Sequence, residues 1–425
     1  MKNRVVITGM GVVAPNAIGL ANFNQALQDG VSGIKFDQQL ADLKFSCQIA
    51  GKPELSNAQI ENYFSALELR NFNSSGILYG VIAGMEAWAD AGLSINETNE
   101  PYWDYGMVFG TSTSGIDKLR ESIYLIDDLQ VRRLGSTAVV QTMNSGISAY
   151  LAGKIGLGNQ VTTNSSACCT GTESLISAYE RVKNGQASVM LSGATSESGA
   201  YLWAGFDAMK VCTFKHNDYP EKGSRPMSAT ASGFVPGSGA GALVVESLIH
   251  ALERGAKIYA EIIGGNVNSG GQKGLGSMTA PNPLAVQKCI KNAISNAKIE
   301  AKKIDVINGH LTATAMDSLE ISNWCEALKR SGNDFPYINS LKGMVGHCLS
   351  AAGSIECVAA VLQIKNNFIF PNVNCEDLNP TIAELISPQK IPQKTIQKEI
   401  DILTKASFGF GDVNACVVLK KYNEI

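Results

Sequence analysis

Val161-Thr162-Thr163-Asn164-Ser165-Ser166-Ala167-Cys168-Cys169-Thr170-Gly171-Thr172 opens on a β-branched run, passes through small residues and enters a helical pattern with Leu175, Ile176, Tyr179 and Val182, closing at Lys183-Asn184-Gly185. A second stretch repeats the plan. Pro336-Tyr337-Ile338-Asn339-Ser340 leads into Ile355, Val358, Ala359 and Leu362 and closes at Lys365-Asn366-Asn367. Each predicts a strand, a turn and a buried helix. The first carries Cys168 at the helix entrance and the second carries His347 at the matching place, so the pair predicts a duplicated α/β unit with its site between the halves. Short apolar runs elsewhere (Arg4–Ile7, Gly106–Phe109, Val189–Leu191, Gly241–Val245, Ile258–Ile263, Asp305–Ile307, Cys416–Leu419) alternate with longer helical patterns, as buried strands of an α/β protein do. No Pro-rich or charged linker interrupts the chain. The expected halves, residues 1–255 with the cysteine and 256–425 with both candidate histidines, should therefore pack as one body.

The chain has 425 residues, enough for a large core, with 45% apolar and 17% charged residues, a composition that excludes a disordered protein. Lys+Arg 35 against Asp+Glu 38 gives a net charge of −3 with no basic block. Neither nucleic acid nor an anionic membrane finds an electrostatic partner here. The ten cysteines are scattered through apolar surroundings in a chain too large to need disulfides, which points to a reducing, cytoplasmic setting. Gly9, Gly11 and Pro15 break the apolar N-terminal stretch, so Val5-Val6-Ile7 reads as a short strand feeding a loop rather than a signal peptide. The long uncharged stretches are filled with Gly, Ser and Pro, and none is a candidate membrane helix.

Four segments could carry chemistry. Cys168 lies among small residues where a helix begins, and the positive end of that helix would favour thiolate; the plainer alternative is a small cysteine at a tight packing contact. Only one of Cys168 and Cys169 can face a given site, because helical neighbours point about 100° apart. Asn308-Gly309-His310-Leu311-Thr312-Ala313-Thr314 puts a histidine at a strand end, followed by two hydroxyls that lie on one face of an extended backbone. Lys342-Gly343-Met344-Val345-Gly346-His347 puts a second of only four histidines near a helix start, with Glu356 nine residues on. Phe408-Gly409-Phe410-Gly411 is a glycine-interleaved aromatic loop before the last strand, where backbone amides can approach a ligand. The absence of C-x-x-C and H-x-x-x-H weakens a zinc reading.

In order and spacing, Ser-Ser-Ala-Cys168, Asn-Gly-His310, Lys342-Gly-Met-Val-Gly-His347 with its Ala-Ala-Gly, and the Gly-Phe-Gly loop resemble the elongating β-ketoacyl-acyl-carrier-protein synthases of the thiolase superfamily. Arg4–Gly11, Ser224-Arg225-Pro226, Gly233-Phe234-Val235 and Gly239-Ala240-Gly241 extend the likeness over nearly the whole chain. The resemblance implies a thiolase-like fold of duplicated αβαβα layers, working as a homodimer or as a heterodimer with a related subunit. It implies Cys168 as the acyl-accepting thiolate, with His310 and His347 assisting malonyl decarboxylation and stabilising enolate and thioester oxygens. It further implies an oxyanion hole from the backbone N–H groups of Cys168 and Phe410, and a phosphopantetheine arm held by Thr312 and Thr314. Lys342 and Glu356 would form a supporting ion pair, and Asn308, Glu320 and Glu356 a monovalent-cation site. No separate cofactor is implied, since phosphopantetheine arrives on acyl carrier protein. Cys169 falls where the family has a small apolar residue and should be packing. This chain departs from the pattern at Leu311, Ala313 and Ala315, has one residue fewer before Asp317, and carries Ala229-Thr230-Ala231-Ser232 and Ser238 in place of charged residues. These departures point towards a specialised polyene or polyketide pathway. Two competing readings are a thiolase-type acyltransferase and a non-catalytic chain-length-factor-like subunit, which typically lacks the nucleophile.

Overall fold

A computed structural model describes residues 3–423. Ten strands form one long path: β1 (Val5–Ala14), β2 (Tyr105–Thr111), β3 (Val161–Thr162), β4 (Val189–Ser196), β5 (Gly239–Ser247), β6 (Ala260–Ser269), β7 (Val306–Asn308), β8 (Tyr337–Asn339), β9 (Ile402–Gly409) and β10 (Val413–Lys421). From the centre outward the first half runs β1-β5-β4-β2-β3 and the second β6-β10-β9-β7-β8. Every strand of one half has its counterpart five places later in the other. The halves join where β1 pairs antiparallel with β6, Val5 opposite Ile262. This is the duplication the two strand–helix stretches predicted, and it extends to the whole sheet.

Five helices position the site: α1 (Ser75–Asp90), α2 (Thr170–Lys183), α3 (Pro283–Ala297), α4 (Asp317–Leu328) and α5 (Ala352–Asn366). α2 and α5 pack on each other and each touches strands of both halves, whereas α1 covers β1, β5 and β4 and α3 covers β6 and β10 from outside. The result is an αβαβα stack. Every residue of α5 from Ala352 to Ile364 is buried, which explains why its sequence is apolar nearly all round. Each of its large aliphatic side chains contributes about 2 kcal/mol through burial.

Two glycines set the spacing of the central pair. A Cβ on Gly171 would lie 2.3 Å from the Ser354 nitrogen, and one on Gly353 would lie 2.6 Å from the Thr172 nitrogen. Only bare backbones let α2 and α5 approach this closely.

The expected loop after Ile7 is absent. β1 continues through Gly9 and Gly11 to Ala14, all ten residues buried. Those glycines are required by α1, because a Cβ on either would meet the Ala87 or Ala83 carbonyl at 2.2 and 2.0 Å. They mark a flat helix–strand contact, not a turn. The strand β9, which feeds the aromatic loop, was not among the expected runs.

Candidate active site

Cys168 is the middle residue of a single 3-10 turn, Ala167–Cys169, that runs into α2. Ala167 sits at φ 49°, in the left-handed region, and the Thr170 hydroxyl ties the turn by accepting from Ser166 N at 2.9 Å and donating to Ala167 O at 2.7 Å. The turn aims Cys168 into the pocket and sends Cys169 the other way. Cys169 is fully buried, its thiol against the Ser407 and Val413 carbonyls at 3.1 and 3.2 Å, as expected of a packing residue.

The second-half counterpart of this turn is Leu349–Ala351, whose first residue also sits at φ 49°. Cys168 therefore corresponds to Ser350, and the expected match of Cys168 to His347 is off by three residues. His347 stands ahead of the turn. Leu349 N donates to its Nδ1 at 3.2 Å, which leaves the proton of the neutral ring on Nε2.

His310 follows β7, and its loop is gripped by two buried acids at the start of α4. Glu320 accepts from His310 N and Leu311 N, both at 2.7 Å, and Asp317 accepts from Thr312 N at 2.8 Å and Ala313 N at 3.1 Å. The loop is not the extended segment expected, since Leu311 and Ala313 lie at φ 24° and 63°. Thr312 and Thr314 still meet, Oγ1 to Oγ1 at 3.0 Å. Burial pushes the Asp317 carboxyl up to about 6 and that of Glu320 to about 7, against the opposing pull of the N–H groups they hold.

Cys168, His310 and His347 present their ligating atoms within 4.8 Å of one another, and the two rings stand edge to face with centroids 5.4 Å apart. All three line a cavity of about 250 Å³ together with Thr312, Thr314 and Phe410. An open depression around Trp88 and Glu100 holds none of the candidate residues. Burial, then the Lys342 charge, holds His347 well below the usual imidazole range, and the same two causes act on His310, with His347 and Lys405 adding to them. Both rings are neutral near pH 7. Burial pushes the Cys168 thiol up to about 11, only partly offset by Lys342 and the Phe410 N–H. Burial thus works against the thiolate that a helix start favours.

Residues 2–251 match the model of the β-ketoacyl synthase N-terminal domain, and residues 259–376 match that of its C-terminal domain. The chain belongs to the β-ketoacyl synthase family. It is 33% identical over 431 residues to 3-oxoacyl-[acyl-carrier-protein] synthase 2 of Coxiella burnetii, covering 99% of both chains. A β-ketoacyl synthase from Burkholderia phymatum superposes with a TM-score of 0.89 at 27% identity, with all of both chains covered. A type II polyketide ketosynthase, solved with its acyl-carrier protein and bound to the hexaketide, superposes at 0.87 with 26% identity, covering 99% of this chain and 100% of that one. The αβαβα duplication is thus the fold of this family. Among the described residues no helix is long and apolar enough to cross a membrane.

The supporting residues of this synthase divide. Lys342 Nζ lies 2.5 Å from Glu356 Oε1, both buried, as the expected ion pair requires. Gly409 packs so that a Cβ there would come 3.2 Å from Cys168 N, and the N–H groups of Phe410 and Cys168 both act on the Cys168 sulfur. The monovalent-cation site at Asn308, Glu320 and Glu356 does not fit this chain. Glu320 is used up by the His310 loop, and Glu356 Oε2 faces Lys405 Nζ at 2.8 Å. Asn308 Oδ1 has no hydrogen-bond partner, and Glu356 Oε2 has the Lys405 charge in place of one. Sequence reading missed Lys405, a residue hidden in β9, and Phe234, whose ring edge packs on His347 at 5.2 Å. Phe234 stood in a quoted motif, but nothing in the motif told its side chain from its glycine neighbour.

Proposed function

We propose that this synthase, an acyltransferase, condenses an acyl group held on Cys168 with a malonyl group on acyl carrier protein, in fatty-acid or polyketide-type chain elongation. The observation that carries it is the convergence of one thiol and two neutral imidazoles on a cavity with two hydroxyls at its wall. In the first half-reaction the Cys168 sulfur attacks the incoming thioester carbonyl, the carrier thiol leaves, and the thiol proton passes to it. A thiol at about 11 needs a base for this. His310 suits the task, since its Nδ1 has no protein partner, whereas His347 already carries its proton on Nε2.

In the second half-reaction the malonyl carboxylate leaves as CO2, and its bonding pair becomes the enolate that attacks the acyl carbonyl. A C–C bond forms, the C–S bond to Cys168 breaks, and the thiolate takes up one proton. The His347 Nε2–H donates to the oxygen that gains charge. The N–H groups of Cys168 and Phe410 serve the acyl oxygen, where fixed dipoles in a dry site act most strongly. Thr312 and Thr314 hold the phosphopantetheine arm, and no other cofactor is assigned. We place the boundary of the halves at 255/256 and the enzyme in the cytoplasm. A dimer is supported by β3, an edge strand whose Val161 is exposed and ready to pair with a second or related subunit.

The test is mass spectrometry after exposure to acyl-loaded carrier protein, followed by malonyl-loaded carrier protein. An acyl adduct on Cys168, discharged with malonyl-dependent CO2 release, supports the reading. No adduct from any donor would instead establish a chain-length-factor-like subunit, and discharge without CO2 a thiolase-type enzyme.

A further inference from the structure

Lys405 is completely buried in the middle of β9. In the parallel pairing it stands opposite Asn308, which in turn stands opposite Asn339 on β8, so a polar row crosses three strands inside an apolar sheet. A buried ammonium persists only if protein atoms replace its water. Its Nζ meets Glu356 Oε2 at 2.8 Å, Ser407 Oγ at 3.1 Å and the Ala406 carbonyl. The approach to Oε2 lies off the hydrogen-bonding direction, so it is a contact between charges rather than a directed bond. A carboxylate oxygen, a hydroxyl and a carbonyl are the hard all-oxygen set that suits an alkali cation. One more buried oxygen, Asn308 Oδ1, lies on the neighbouring strand without a partner.

Glu356 is therefore shared by two ammonium groups, Lys342 on Oε1 and Lys405 on Oε2. A third positive charge would face both of them with a single carboxylate as counter-ion. We infer that the Lys405 ammonium is this synthase's built-in substitute for a monovalent cation, tying Glu356 of α5 to the strand that ends in the Phe408-Gly409-Phe410 loop and freeing the enzyme from dependence on potassium or sodium. Lys405 is on this view a positioning residue. It fixes α5, the helix that follows the His347 loop, against the strand that feeds the Phe410 N–H, and touches no reacting atom.

The inference rests on the proposed reaction only for its turnover readout; thermal midpoints test it separately, so a failure of one is not a failure of the other. The wild-type enzyme is compared in potassium chloride, sodium chloride and tetramethylammonium chloride at equal ionic strength, the last being too bulky for a buried site. Malonyl-dependent turnover should agree within about twofold across all three with the thermal midpoint unchanged, since the cation is covalently supplied. Stimulation by potassium beyond that overturns the inference, whatever any variant does. Lys405→Ala opens room for an ion beside a carboxylate that has lost one partner. In tetramethylammonium it should melt several degrees lower and turn over at least about tenfold more slowly, and potassium should recover much of both. A variant that needs no cation, or one that no alkali cation rescues, shows Lys405 to be ordinary packing and overturns the inference.

Discussion

The two strand–turn–helix units are the same object used twice, and only one of them bears the proposed nucleophile. Both helices start from a 3-10 turn whose first residue, Ala167 or Leu349, stands at φ 49°, and both carry a glycine three residues after the turn's middle position, Gly171 and Gly353. The connections before the turns differ. Five positions separate Thr162, the end of β3, from Ala167, and ten separate Asn339, the end of β8, from Leu349. The longer connection contains the short helix Lys342–Val345 and delivers both Lys342 and His347. Duplication thus preserved what the helix crossing demands: one half carries its thiol as a side chain in the shared turn, and the other carries its imidazole in the connection whose length was free to change.

The comparison breaks most sharply at its reactive atoms. Cys168→Ala should lower condensation about 10,000-fold or more with the melting temperature nearly unchanged, because no second thiol faces the cavity. His347→Ala should cost about 100- to 1,000-fold, the usual loss for one oxyanion donor among several. Steady-state turnover on acyl- and malonyl-loaded carrier protein measures both. Equal losses would mean that turn and loop act as one unit in a single step rather than as separable contributions.

The crossing should respond through stability rather than chemistry. A methyl at position 353 must displace the Thr172 backbone, which is α2 itself rather than the tip of a flexible side chain. Gly353→Ala is therefore expected to destabilise by about 1–3 kcal/mol, and Gly171→Ala similarly. Chemical denaturation of the two variants should give matching losses. A loss confined to one would show that the units share a shape without sharing a constraint.

The duplication was readable because strand pattern, small turn residues and a buried helix recur at both stretches. The nucleophile and the histidines stood out through rare residue types in motifs. The register between the units was not readable, since the extra length before Leu349 is offset by the shorter sequence before Ala167, and only backbone angles show which residues correspond. Gly9 and Gly11 misled because a glycine demanded by a helix across the sheet looks the same in sequence as one demanded by a turn. Lys405 was hidden for a related reason. A lysine in a chain reads as surface, and only the sheet register places it beside Asn308 and against Glu356. The burial of the thiol escaped as well, because a helix start is visible in sequence and the degree of desolvation is not.

Ser350 gives the smallest effect and the finest distinction, since it occupies in the second unit the position Cys168 holds in the first. Its hydroxyl donates to Thr195 O at 2.7 Å and lies 3.2 Å from Ser112 Oγ, fully buried behind the turn. Ser350→Cys places a thiol on the equivalent backbone and costs about 1 kcal/mol for the weaker hydrogen bond. It should not create a second reactive site, because on the proposed mechanism Cys168 owes its reactivity to the cavity, the His310 ring and the two amides, none of which the duplication copied. Iodoacetamide labelling followed by peptide mapping should find Cys168 modified and position 350 untouched. With the Cys168 thiol held near 11, its labelling rate should climb about tenfold per unit from pH 7 to 10, with no plateau near 8. Labelling at position 350 with the same profile would show that the turn alone activates a thiol, and would move the origin of the chemistry from the surroundings back to the shared backbone.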